Sequence, residues 1–210
     1  MIGFCALAWI QPSKAAPTPI PYPTAAETVR SALLQAQLAL ADDTAAAQAA
    51  WQTAADAYAA QLAEPLAHTA PEADQRVRAG LDEAAAALAQ GDAARFAAAR
   101  AQVWTALLAG GYQTVTAMLQ AGDGTAARAW LPLREFRHAT RFTRPNADAT
   151  LAVRDVALGK VDAEQALQAV QADLLDTYQI RLAEALADLR AADAQGFATR
   201  RAEAAALAQG

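Results

Sequence analysis

The chain has 210 residues, an apolar fraction of 55% and a formal net charge of −5. That length fits one ordinary domain or two small bundles in tandem, and the acidic balance excludes the electrostatic footprint of a nucleic-acid binder. A single cysteine, Cys5, excludes a disulfide framework or a cysteine-based metal site within the chain.

Ile2 to Ile10 is an apolar run, followed by a small-residue region near Ala15 and Ala16. This layout predicts a signal peptide over residues 1–16 and export to the periplasm or cell envelope. A positive n-region is missing, so the start codon is expected upstream. Pro17 to Pro23 reads as a proline-rich linker of extended character. No later stretch approaches the ~20 apolar residues of a membrane span.

Residues 24–210 read as helix almost without interruption, and no alternating strand pattern of any length interrupts them. The predicted fold is an all-α antiparallel helical bundle, either single or built of two packed sub-bundles. Alanine, about three residues in ten, favours helix locally but buries little area. The core must therefore rest on the few large side chains.

Thr24-Ala-Ala-Glu27 is a capping box that opens a first helix, with Val29, Leu33, Leu34 and Leu38 inward. Asp42 and Asp43 can cap a second helix, with Trp51, Ala55, Tyr58 and Leu62 on its core stripe, that stops near Pro65. Pro71 starts a third, with Val77, Leu81, Ala84 and Leu88 inward, closed by Gly91. Asp92 opens a fourth, carrying Phe96, Val103, Trp104 and Leu107, which Gly110-Gly111 is expected to break or kink. A short helix follows over Val115 to Leu119.

Thr125 can cap a helix carrying Trp130, Leu133, Phe136 and Arg137 that ends before Pro145. Asp148 can cap a short helix ending at Gly159. Asp162 opens a long one, with Leu167, Val170, Leu174, Tyr178, Leu182 and Leu189 on one stripe. A last helix carries Phe197 and Arg201. The strings beginning at Gly91 and Ala192 echo one another weakly, as duplicated hairpins or chance would in so alanine-rich a chain.

Chemistry-bearing residues concentrate between Trp130 and Tyr178. Only Lys14 and Lys160 of the 17 basic residues are lysine, and six of the arginines fall within 128–154. Arg134, Arg137 and Arg141 are spaced for one helical stripe. Glu135, Asp148, Asp173, Asp176 and Tyr178 supply oxygen donors suited to a hard cation such as iron, with the phenolate favouring Fe(III). The same carboxylates can instead pair with Arg134, Arg137 and Arg141 and lock two helices together. With so many arginines present, the lock is the favoured reading of any single carboxylate.

Glu135-Phe-Arg-His138 has the Glu-x-x-His spacing of di-iron bundles, but no second such motif exists, since His68 lacks a glutamate three residues before it. Serine occurs only at Ser13 and Ser31, and no nucleophile motif or phosphate loop is present. The chain is not expected to be an enzyme.

Three strings in this segment are distinctive: Trp130-Leu-Pro-Leu-Arg-Glu-Phe-Arg, Thr140-Arg-Phe-Thr-Arg-Pro-Asn-Ala-Asp-Ala-Thr-Leu-Ala and Ala172-Asp-Leu-Leu-Asp-Thr-Tyr-Gln. They resemble the N-terminal extracytoplasmic region of long bacterial iron permeases, relatives of the oxidase-coupled high-affinity iron transporters. In that family the helical region precedes a seven-helix membrane permease whose Arg-Glu-x-x-Glu motifs handle iron. Arg134-Glu-Phe-Arg137 echoes the motif without its second carboxylate, so the permease's iron-handling role is not carried onto it.

The permease part is not within these residues, and a stand-alone extracytoplasmic module is expected. The resemblance implies a role in iron uptake, presenting or sensing iron or docking on a membrane iron permease or envelope complex. The alternative is a structural or adaptor bundle with no metal ligand.

Overall fold

The computed structural model describes residues 21–137 and 147–210. The expected signal peptide with Cys5, most of the proline-rich linker, His138, Arg141 and Arg144 lie outside the described residues. Within them the chain forms α1 (Pro21–Ala39), α2 (Thr44–Gln61), α3 (Ala63–Thr69), α4 (Pro71–Gln90), α5 (Ala93–Gln120), α6 (Gly124–Trp130), α7 (Asp148–Ala157), α8 (Ala163–Gln195) and α9 (Ala198–Gln209), with no strand. No helix among them is long and apolar enough to cross a membrane.

Local chemistry sets most boundaries. Asp43, Asp92, Asp123 and Asp162 each accept the backbone N–H three residues on, capping α2, α5, α6 and α8. Pro65 carries no N–H and would crowd the carbonyl of Gln61, and α2 ends at that residue. Pro71 opens α4, and Gly91 closes it in the left-handed conformation at φ 66°. Gly196 closes α8 the same way.

The helix start at Thr24 is corrected: α1 begins at Pro21, and Pro23 lies in its first turn, where a missing N–H is harmless. The sequence echo does not mark a repeated cap, since Asp92 caps α5 whereas Asp193 lies inside α8 and pairs with Arg201.

The expected break at Gly110-Gly111 does not occur, and α5 runs unbroken for 28 residues through both glycines and the segment 115–119. A helix of that length spans about 42 Å. The pair is there for packing. A Cβ on Gly110 would lie 2.8 Å from Leu66 Cδ2 and 3.1 Å from the Ala73 Cβ, and one on Gly111 would lie 2.9 Å from Leu133 Cδ2. Tertiary contact outweighs the roughly 1 kcal/mol that each glycine costs a helix.

This helix is the centre of the fold. α4 packs along one flank and α9 along another, while α1, α3, α6 and α8 also touch it. One contiguous core runs from Ala25 to Leu174, so the described residues form one bundle and not two. Its large members include Leu33, Tyr58, Leu66, Phe96, Leu107 and Leu119, all fully buried. Short connections between α1 and α2, α4 and α5, and α8 and α9 make these pairs antiparallel hairpins.

Two expected stripes are only half right. On α1, Val29 and Leu33 are buried, but Leu34 and Leu38 face outward. On α8, Val170 and Leu174 are buried, but Leu182 is 44% exposed, and the buried face continues through Thr177, Ala185 and Ala192. Small residues let α9 approach that side closely.

Candidate functional site

The predicted helix through Trp130, Leu133, Phe136 and Arg137 stops at Trp130. Pro132 supplies no N–H, and its ring opposes continuation. The chain instead makes a tight turn, with Leu133 N–H donating to Trp130 O at 2.9 Å and Arg134 N–H to Pro132 O at 3.0 Å. Arg134 and Arg137 therefore do not share a helical stripe. Leu131 and Leu133 are buried and anchor the turn, and the missing Cβ of Gly111 lets Leu133 settle on α5.

From this turn Arg134 and Arg137 reach α8. Arg134 is only 6% exposed, donates from Nη2 to Thr150 Oγ1 on α7 at 2.8 Å and places its guanidinium 4.8 Å from the Phe136 ring centre. Its Nη1 lies 4.0 Å from Asp173 Oδ2. Arg137 Nη2 donates to Asp173 Oδ1 at 3.1 Å, and its Nη1 binds Asp176 Oδ2. Asp173 is 4% exposed and also accepts the Ala149 N–H at 3.0 Å. It is thus the cap of α7, supplied by a neighbouring helix.

Asp148, expected as that cap, is an exposed residue in the first turn and makes no capping bond. Its negative charge still favours the positive end of the helix. Burial lowers the pKa of the Arg134 guanidinium, and the nearby Asp173 opposes that shift.

Glu135 turns the other way, toward α5. It accepts the Trp104 indole N–H at 2.9 Å and pairs with Arg181 Nη2 at 3.3 Å, while the same nitrogen donates to Phe136 O at 2.9 Å. Tyr178 is partly buried beside this group, and its enclosed hydroxyl has no hydrogen-bond partner among the described residues. Burial, reinforced by the negative Glu135, holds the phenol well above its ordinary range. It stays protonated, the form least suited to ligate Fe(III).

The predicted oxygen donors are therefore not gathered into one shell. Asp173 and Asp176 converge on Arg137, Glu135 converges on Arg181, and Asp148 stands apart at the start of α7. Among the described residues no group of three or more His, Cys, Asp or Glu is placed to hold a metal ion.

Sequence reading missed Trp104 and Arg181, which lie on helices read as core or solvated face. Both border a cleft of about 360 Å³ that also exposes Arg30, Arg100, Arg200 and Glu203. Arg30 stacks 4.6 Å from the Trp104 ring centre, and Arg100 joins α5 to α9 through Glu203 at 2.6 Å. The only signal available in sequence was Arg181 itself, a cation flanked by Ile180 and Leu182.

Over residues 21–210 the chain matches the family described as the iron permease FTR1 N-terminal domain. No curated protein and no solved structure matches it.

Proposed function

Because the chain belongs to the iron permease FTR1 N-terminal domain family, we propose that it is an extracytoplasmic module of iron uptake that docks on the membrane permease part of such a system. In this reading Glu135, Asp173 and Asp176 serve the shape of the docking module and do not ligate iron. The observation that supports it is Asp173, whose two oxygens are engaged by Arg137 and by the Ala149 N–H, with Arg134 alongside. A metal would have to displace two arginines and uncap a helix to reach that carboxylate. Burial of paired charge here costs desolvation but fixes one arrangement of the turn against α7 and α8.

The test has two arms. In the first, the chain is titrated calorimetrically with Fe(II) and with Fe(III)–citrate while its melting temperature is followed. The expected result is no saturable heat and an unchanged melting temperature, since a ligand that binds only the folded state must raise it. In the second, the chain is mixed with proteoliposomes carrying an iron permease of this family and with empty liposomes. Co-sedimentation with the permease vesicles alone is expected. Saturable iron binding lost in Asp173→Asn, or equal recovery with both vesicles, would refute the docking reading.

A further inference from the structure

The middle and C-terminal part of α8 carries Leu175, Gln179, Leu182, Leu186 and Leu189 at 4-3-4-3 spacing. This is the heptad seam by which one helix packs against another. Among the described residues no helix lies opposite that seam: Leu175 is 48% exposed and Leu186 is 40% exposed. Beside it lies an apolar groove of about 530 Å³ to which α5 contributes Leu108 and Tyr112, and α9 contributes Leu207. A contiguous apolar face of this kind marks an interaction surface.

We infer that the seam pairs with α8 of a second copy of this chain, the two helices running antiparallel. The charges beside the seam select this occupant. Asp176 follows the first seam leucine and Arg190 follows the last, on the same flank. In an antiparallel pair centred between Leu182 and Leu186, those two leucines face their exchanged counterparts. Gln179 then packs on Leu189, and Asp176 of each copy, whose carboxylate also pairs with Arg137 of its own chain, meets Arg190 of the other. The twofold axis repeats that ion pair at both ends, as an isologous interface requires. A parallel pair would set Asp176 against Gln171 and Arg190 against Ala185, and neither ion pair would form. Arg190 has no ion-pair partner within the chain among the described residues.

The inference concerns association of the chain with itself and is measured with no permease present, so it stands or falls apart from the docking reading. Sedimentation equilibrium across the micromolar range should show a reversible dimer. Leu182→Glu should raise the dimer Kd by about tenfold or more, whereas Leu38→Glu, at an exposed leucine on α1, should leave it unchanged. Asp176→Arg and Arg190→Asp should each weaken self-association, and an equimolar mixture of the two should restore it. Circular dichroism checks that each variant is folded.

A chain monomeric at every concentration overturns the inference. So does a dimer indifferent to Leu182→Glu, or a mixture of the charge variants no tighter than either alone. If the seam proves instead to take a helix of another protein, the chain alone will be monomeric and the same experiment reports it.

Discussion

The side chain of Asp173, on α8, accepts the backbone N–H of Ala149 at 3.0 Å, so α7 is capped by another helix and not by its own sequence. Asp173 also carries the charge that balances Arg137 and Arg134. Replacing it by Asn keeps an acceptor for the N–H but removes the carboxylate that Arg137 and Arg134 share. Asp173→Asn should lower stability by about 3–5 kcal/mol. Asp176→Asn, at a half-exposed position, should cost at most ~1 kcal/mol. Urea unfolding of the two variants checks the contrast, and equal losses would contradict it.

Gly111 tests the seating of the turn on α5. In Gly111→Ala the new methyl meets Leu133 Cδ2 at 2.9 Å and the Leu133 carbonyl oxygen at 3.1 Å. The strain, about 1–3 kcal/mol, opposes a gain of roughly 1 kcal/mol from better helix propensity. A net loss near 1 kcal/mol is expected. Combining it with Leu133→Ala should give less than the sum of the two single losses, because only the Leu133 side-chain clash is removed. A double-mutant cycle by thermal unfolding measures this coupling.

Acid should act on stability through Asp74 on α4. Burial pushes its carboxyl upward, but hydrogen bonds from Arg78 and the Tyr58 hydroxyl outweigh that and hold it below 3.8. A depressed folded pKa contributes stability above the unfolded value, and that stability is lost as pH falls below about 3.8. Asp74→Asn should therefore be less stable at neutral pH and show a flatter decline in acid. Circular dichroism along an acid titration shows whether the slopes differ.

Alkali acts through the phenols. Burial raises the pKa of Tyr58, helped by its hydrogen bond to Asp74, and burial likewise raises that of Tyr178. A raised folded pKa contributes stability below the unfolded value of 10.0 that is lost as pH rises above it. Part of the tyrosinate absorbance should accordingly appear only with unfolding. Tyr58→Phe with Tyr178→Phe should remove that late step, and a single smooth titration in the parent chain would contradict it.

Helix existence was legible for most elements, α3 excepted, because aspartate caps, prolines and terminal glycines act over three or four residues. Asp92, Asp162, Pro71 and Gly91 needed no tertiary information to be read. Gly110-Gly111 was misread because its reason lies elsewhere in the chain, in Leu66 and Leu133. The helix projected through Phe136 failed at Pro132, a signal that was present and outweighed by apolar spacing. Arg134 and Arg137, expected on one helical stripe, approach Asp173 from a turn, because Pro132 ends the helix before them. Trp104 and Arg181 could not be assigned to the same cleft from sequence, since Glu135 joins them across separations of 31 and 46 residues.

The central position of α5 has a consequence for how the chain must be assembled. Its α4 flank is satisfied by the hairpin just before it, whereas its α9 flank waits for the last helix, with Arg100 meeting Glu203 across 103 residues. Helices α1 to α5 can associate as they are made, by contacts short in sequence. The α9 flank of α5, with Ala101 and Leu108, stays open to solvent until α9 has been made. Any ribosome stall or C-terminal truncation before α9 leaves that strip exposed, and the aggregation risk of the newborn chain concentrates there.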